Sequence, residues 1–315
     1  MKSWWRLIAA VVVLIVIVVV LNVHHKTPTV VSKPLVTLTE SQVNRIAIQQ
    51  PGQPEVVLTK LGANWTLDQP YHFAAESSSV SSLLDSLSDI TGAQKVATVT
   101  PSVKLAAFGL DTSVKSGGPS TVSLGLTTGK TITFEFGSDT PTGGNTYLRL
   151  GGAGPVEMAS DYVKTNALQS AFAMQDKTAL HFPSGQITAI TIAQHGKTLH
   201  FAKSKNAWPK AQVSSINSLL DSLSDAQMDS MVAPTAAAAA HQAAAAGLAH
   251  PNASVTLTWL GGKATLDIGA KTGAAEYFAR NSSGPAIFKI SDYLITDVNN
   301  LTTPAPAPSV VKAGK

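Results

Sequence analysis

Cysteine is absent from this chain, and charged and aromatic residues are scarce. The 315 residues contain no cysteine, 13% charged residues and 6% aromatic residues. Disulfides, thiol catalysis and thiolate metal sites are therefore excluded, as fits an exported bacterial protein that folds without oxidation. With so few charges, the solvated faces must depend largely on hydroxyl and amide side chains. The length suffices for two ordinary domains.

Concentrated positive charge is also missing. The net charge is +4, and Lys2 and Arg6 at the beginning of the chain account for two of these charges. The other cations are scattered, without a basic stripe and without interleaved aromatic residues. Nucleic-acid binding needs a cluster of cations to neutralise phosphates. We therefore expect no nucleic-acid partner.

The familiar catalytic motifs are absent as well. The glycine-rich residues 151–154 lack the lysine of a phosphate loop, and neither a Gly-x-Ser-x-Gly, a His-Glu-x-x-His nor a Ser-x-x-Lys motif occurs. Asp111-Thr112-Ser113 suggests an aspartic-protease lobe, but that chemistry needs a second carboxylate. The position that matches Asp111 in the second half is Ala249. We predict no catalytic residue, cofactor or metal site, and hence no enzyme.

A long apolar run stands near the beginning of the chain, at residues 7–23. It is close to the lower limit of about 17 residues for a membrane-spanning helix. A cleaved signal peptide is the competing interpretation, but no small-x-small cleavage site follows the run. We predict an uncleaved, single-pass anchor in the cytoplasmic membrane, with a cytoplasmic N-terminus and all later residues extracytoplasmic. The anchoring residues are Trp4, Trp5, Arg6, Leu7 and Leu21.

One eight-residue stretch occurs twice. Residues 82–89, Ser-Leu-Leu-Asp-Ser-Leu-Ser-Asp, return letter for letter at residues 218–225. The surrounding apolar residues follow the i, i+3, i+4, i+7 pattern of an amphipathic helix. An identity of this length predicts a tandem duplication, with one such helix in each copy.

The polar residues of the repeated stretch permit two interpretations. Asp85, Ser86 and Asp89 lie off the apolar stripe, and so do their second-copy counterparts. The functional interpretation is a paired acidic site, with one aspartate from each helix. The alternative is two solvated faces of core-packing helices, which we favour because charges opposite an apolar stripe usually contact water.

Further landmarks recur in the same order. They are Trp65 with Trp208, Gly109-Leu110 with Gly247-Leu248, Phe136-Gly137 with Ile268-Gly269, Tyr147 with Tyr277, Arg149 with Arg280, and Asp161-Tyr162 with Asp292-Tyr293. Each tryptophan is either a sugar-stacking platform or, as we favour, a core residue. The alanine tract before Gly247 predicts a longer surface helix.

These observations predict an α+β protein with four segments. Two tandem homologous β-rich modules, each with antiparallel strands and one main amphipathic helix, follow an N-terminal transmembrane helix. The predicted segments are an anchor and linker at 1–34, a first module at 35–175, a second module at 176–302, and a disordered Pro/Ala-rich tail at 303–315.

The chain resembles the bacterial family catalogued as domain of unknown function 4340. Besides the anchor, the matching residues are Asn64-Trp65-Thr66-Leu67, Pro70, Leu83-Leu84, Phe108-Gly109-Leu110-Asp111, Phe136-Gly137, Tyr147 and Asp176-Lys177. The chain lacks the proline that the family often has after Gly-Leu-Asp, and the second module keeps Gly-Leu without the acid. The resemblance implies a single-pass envelope protein, often found with gliding-motility-type ABC transport systems, and no catalytic residues.

We therefore expect a non-enzymatic module that contacts the lipid bilayer through its helix and ABC transporter subunits, or another membrane complex, through its modules. A glycan- or cell-wall-binding module is the alternative, because of the tryptophans and the hydroxyl-rich strands. A hydrolase with an unrecognised site is the third hypothesis.

Overall fold

The computed structural model describes residues 34–302, except residues 92, 100–103, 114–117 and 153. The predicted membrane helix at 7–23, its anchoring residues (Trp4, Trp5, Arg6, Leu7 and Leu21) and the tail at 303–315 lie outside the described residues. Within the described part, no helix is both long enough and apolar enough to cross a membrane.

Two antiparallel sheets dominate the structure. The first sheet has nine strands in the order β4-β3-β2-β1-β6-β7-β8-β9-β5. Its strands are β1 (Val43–Gln49), β2 (Val56–Leu61), β3 (Asn64–Gln69), β4 (Phe73–Ala74), β5 (Gln94–Ala97), β6 (Ser120–Leu126), β7 (Thr131–Asp139), β8 (Asn145–Leu150) and β9 (Val156–Ser160). Alternating apolar residues, such as Val122 and Leu124 in β6, direct one face of this sheet into the core.

The second sheet has seven strands in the order β11-β10-β13-β14-β15-β16-β12. They are β10 (Ile187–Gln194), β11 (Lys197–Ala202), β12 (Ser230–Ala233), β13 (Ala253–Trp259), β14 (Gly262–Thr272), β15 (Glu276–Asn281) and β16 (Ile287–Ser291). The order of the first sheet is thus repeated without counterparts of β3 and β4. The β-rich, two-sheet architecture expected from the sequence is confirmed.

Helices pack against both sheets. They are α1 (Ser77–Ser88), α2 (Asp161–Ala167) and α3 (Ala171–Met174) in the first module, and α4 (Val213–Asp225), α5 (Ala236–Gln242) and α6 (Tyr293–Thr302) in the second. The repeated stretch lies in α1 and α4, as predicted. Each of these helices packs beside a second helix, α1 beside α2 and α4 beside α6. The second helix of each seam also contributes to its core, and α6 buries Leu294, Val298 and Leu301.

Two expectations need correction. The alanine tract forms a helix at the surface, as expected, but α5 has only seven residues, and Ala239 and Ala246 are the buried alanines of the tract. Further turns follow Gln242, and Gly247 ends them in the left-handed region at φ 68°. Tyr147 does not correspond to Tyr277, because Arg149 faces Glu135 exactly as Arg280 faces Asp267. Phe278 lies two residues before Arg280, as Tyr147 lies two residues before Arg149. Phe278 is therefore the counterpart of Tyr147.

The glycine-leucine turns confirm that the two halves are copies. Gly109 and Gly247 both have left-handed backbone conformations, at φ 66° and 68°. Each turn packs on a glycine at the bulged end of a strand, Gly137 in β7 and Gly269 in β14. A Cβ on Gly137 would overlap the Phe108 carbonyl oxygen, and one on Gly269 would overlap that of Ala246. Both modules therefore need glycine at this position, because a side chain would overlap a backbone carbonyl oxygen.

A short connector joins the modules. The Glu76 amide donates to the Met174 carbonyl at 2.8 Å, and the Asp176 amide donates to the Ala74 carbonyl at 2.8 Å. Three residues further on, the Ala179 amide donates to the Ala226 carbonyl at 2.9 Å. The backbone of residues 174–179 therefore forms hydrogen bonds with both modules.

Candidate functional site

A groove beside the repeated stretch lies between α1 and α2 in the first module. It has a volume of about 620 Å³. From α1 come Ser82, Asp85, Ser86 and Asp89, which stand on one side of that helix because they are spaced three and four residues apart. From the neighbourhood of α2 come Ser160, Tyr162, Val163 and Asn166.

The lining of this groove is mostly polar, with Ile90, Ala159 and Val163 as its apolar members. Val80, Leu83, Leu84 and Leu87 of α1 are buried against the first sheet, which fixes the orientation of the polar side. Ser160 caps α2 by accepting a hydrogen bond from the Tyr162 amide at 3.4 Å. The Tyr162 side chain is 67% exposed at the rim. The groove thus offers hydroxyls, one amide, two carboxylates and an accessible aromatic ring.

The corresponding seam of the second module is closed by one carboxylate. Asp297 of α6 accepts a hydrogen bond from Ser222 at 2.5 Å and another from Ser218 at 3.3 Å. These serines are the copies of Ser86 and Ser82, and Asn166 occupies the position of Asp297. In the first module the Ser86 hydroxyl turns back to its own helix and donates to the Leu83 carbonyl at 2.8 Å. The duplicated helices therefore present identical residues to an open groove in one module and to a bonded seam in the other.

The acidic residues of the repeated stretch do not form the paired site considered from the sequence. Asp85 and Asp89 face α2 within the first module. Asp225 lies near Tyr293 of the second module, where burial and the charges of Asp229, Asp225 and Asp297 raise the pKa of the tyrosine. Asp85 and Asp89 therefore line the groove of the first module, and Asp225 lies beside α6 of the second. The described residues contain no group of three His, Asp or Glu side chains arranged to hold a metal ion.

Asp111 has a local structural role. Its carboxylate accepts hydrogen bonds from the Ser113 hydroxyl at 2.6 Å and from the Ser113 amide at 2.9 Å. These bonds lower the pKa of Asp111. The carboxylate is therefore an acceptor that stabilises its own turn.

Trp65 is a core residue, whereas Trp208 is only partly buried at the edge of the second core, and each has a lysine neighbour. Trp65 is only 2% exposed, which removes it as a sugar-stacking platform. The Lys60 ammonium lies 5.4 Å from the Trp65 ring centre, and the Lys203 ammonium lies 5.0 Å from that of Trp208. The Trp65 indole also donates to Glu40 at 3.2 Å. Sequence comparison of the copies found the tryptophans but not the lysines five residues before them.

A second cleft, of about 390 Å³, lies where the modules meet. Phe73 of the first module and Met228, Pro234 and Pro285 of the second give it a largely apolar lining. His181 at its margin pairs with Asp176, with 2.9 Å between Nε2 and Oδ2. This cleft was not foreseen, because it is formed by residues that are distant in the sequence.

The fold and these sites define a β-rich protein built from two copies of one antiparallel α+β module, with helix seams and an intermodule cleft as its concave surfaces. The family described as domain of unknown function (DUF4340) matches residues 65–214 and, a second time, residues 202–303. The chain belongs to this family. No curated protein and no solved structure matches it.

Proposed function

We propose that this is a non-enzymatic envelope protein, anchored in the cytoplasmic membrane by residues 7–23, whose modules serve as an extracytoplasmic scaffold. Its partner is an ABC-type transport complex or another membrane complex. Trp4, Trp5 and Arg6 support the anchor because aromatic and basic residues favour the membrane interface. The family resemblance supports the association with a transporter.

The observation that carries the scaffold proposal is the connector at residues 174–179. Its backbone hydrogen bonds run to both modules, and the buried Gln175 side chain accepts from Tyr71 of the first module at 2.6 Å. The Gln175 amide also points at the Met228 sulfur of the second module, at 3.7 Å. Domains joined by a flexible linker change their separation freely, whereas this connection holds two surfaces at a fixed spacing. A subunit that must contact two places on a complex needs such spacing.

Affinity purification of the tagged full chain from membranes tests the proposal. We expect an ATPase and a permease to be recovered at fixed stoichiometry, and the chain to resist carbonate extraction. The matched control is the double variant Val12→Arg and Val16→Arg, which places two charges within the apolar run and should release the chain from the membrane. Repeated recovery of the chain without partners would contradict the scaffold function, and a wild-type chain released by carbonate would contradict the anchor.

A glycan- or wall-binding function is the second candidate, and the groove between α1 and α2 is the observation that favours it. Its hydroxyls and the exposed Tyr162 ring suit a sugar, which stacks on aromatic faces and exchanges hydrogen bonds with polar side chains. Isothermal titration with soluble cell-wall fragments would detect binding, and Tyr162→Ala should abolish the heat. Tyr293→Ala, the same change in the copy, is the control. Absence of heat from the wild-type chain at high ligand concentration argues against this function.

A further inference from the structure

The four edges of the two sheets are not equally protected against pairing with another strand. β4 has two residues, and β5 and β12 have four residues each with a register shift against their neighbours. Short or bulged edge strands resist the addition of another strand. β11 is different, because its six residues pair with β10 in an uninterrupted register. In the described chain, no other strand pairs with β11.

The first module shows which element belongs at this edge. Ile46 faces Leu58 across β1 and β2, just as the corresponding Ile190 faces Phe201 across β10 and β11. β2 is therefore the counterpart of β11, and β3 pairs along its other side. In the second module, Pro209 follows Trp208 where Thr66 follows Trp65. Proline has no amide to donate to a ladder, and after a single bridge between Ser204 and Ala207 the chain enters α4 without forming the next strand.

The missing strand leaves apolar side chains partly uncovered. Val56 and Leu58 of β2 are 5% and 0% exposed beneath their neighbours. Their counterparts in β11, Leu199 and Phe201, are only half-buried. An added strand with apolar residues on the same face would complete this end of the second core, as β3 does in the first.

The charge around β11 selects one class of occupant. Lys197 begins β11, Lys203 and Lys205 follow it, and residues 195–212 contain no aspartate or glutamate. None of these lysines forms a salt bridge with a described carboxylate. A second copy of the chain, pairing β11 antiparallel with β11, would bring Lys197 of one copy beside Lys203 of the other at both ends of the strand, which is unfavourable. An acidic strand is electrostatically complementary.

We propose that β11 binds an extended acidic segment of a partner polypeptide as an added antiparallel strand. The partner's backbone pairs with the free edge of β11, its apolar residues cover Leu199 and Phe201, and its carboxylates face the surrounding lysines. This inference deepens the scaffold function and rests on it for the existence of a partner, while the edge itself can be tested separately.

A labelled peptide that copies residues 63–69 with Thr66→Glu is the probe, added to the full chain in detergent. Fluorescence anisotropy should show saturable binding in the micromolar range. Hydrogen exchange should show slower exchange in β11 and no change in β5 or β12. N-methylation of the peptide at one set of alternate residues should abolish binding, because only that set donates to the edge, and N-methylation of the other set should leave binding intact.

Charge variants separate the edge from general attraction. The double variant Lys197→Glu and Lys205→Glu changes two exposed residues and should weaken binding at least about tenfold. The control, Lys130→Glu and Lys263→Glu, makes the same charge change elsewhere and should leave the affinity within about twofold.

Three results would overturn the edge proposal. They are no binding at millimolar peptide, slower exchange confined to another strand, and a chain that dimerises through β11 and dimerises more tightly in the Lys197→Glu and Lys205→Glu variant. A transporter recovered from membranes together with a failed peptide would reject the edge and retain the scaffold. Peptide binding without a recovered complex would retain the edge proposal and reject the scaffold function.

Discussion

Glu135 and Arg149 form a buried ion pair at facing positions of β7 and β8. The Arg149 Nε and Nη2 atoms both lie 2.6 Å from Glu135 Oε2, and the two side chains are 9% or less exposed. The duplication preserves the pair as Asp267 and Arg280 at 3.1 Å, with side chains 23% and 33% exposed. One ancestral interaction is therefore present in two environments.

Arg149→Met should lower the free energy of unfolding by about 3–5 kcal/mol, because it leaves Glu135 charged, buried and unpaired. Arg280→Met, the matched control, should cost at most about 1 kcal/mol, because water reaches Asp267. Urea titration of both variants measures the difference. Equal losses would mean that burial does not distinguish the two pairs.

Gly137→Ala and Gly269→Ala should each destabilise by about 1–3 kcal/mol or more, because the added Cβ meets a backbone carbonyl that cannot move aside. Gly185→Ala is the control, since a Cβ there contacts nothing within 4 Å. Thermal unfolding followed by circular dichroism gives the comparison. A stable Gly137→Ala variant would show that the Phe108 turn is not held against β7.

Glu40 should contribute to the acid sensitivity of the first module. Hydrogen bonds from Lys60, Trp65 and Ser81 lower the pKa of this carboxyl from its ordinary value of 4.5. The stabilisation is therefore complete above about pH 4.5 and is lost as the pH falls through the lowered pKa. Glu40→Gln should flatten the dependence of the melting temperature on pH in this acid range. Asp221→Asn, at an exposed carboxyl outside this network, should leave the dependence unchanged.

Tyr71 should control the alkaline limit. Burial raises its pKa from 10.0 to about 12. The neutral Tyr71 hydroxyl therefore contributes to the stability of the folded state below pH 10. This contribution to stability is lost as the pH rises from 10 to about 12. Tyr71→Phe should flatten this alkaline loss.

The same Tyr71→Phe variant should cost about 1–3 kcal/mol at neutral pH, because the buried Gln175 oxygen loses its donor. Urea titration at pH 7 and at alkaline pH measures both effects. Tyr162→Phe, which removes a hydroxyl from an exposed ring, is the control for both measurements. An unchanged alkaline profile in Tyr71→Phe would contradict the assigned role of the hydroxyl.

The sequence predicts the strands well because local alternation determines them. β1 and β6 lie where apolar residues alternate around Ile46 and Leu124, and α1 lies where the spacing changes to that of a helix. The surfaces were harder to foresee. The exchange of Asn166 for Asp297 opens one seam and closes the other, and it becomes visible only when the copies are aligned five residues past Asp161 and Asp292. The edge of β11 depends on which strand is missing beside it, which is a property of the sheet rather than of the residues within β11.

The connector at residues 174–179 should resist proteolytic cleavage between the two modules. A protease needs several residues of free, extended chain, and here the stretch between the modules is engaged by backbone bonds on both sides. Nicking there requires prior breakage of the bonds to Ala74, Glu76 and Ala226. Cleavage between the two copies is therefore coupled to local unfolding of the connector.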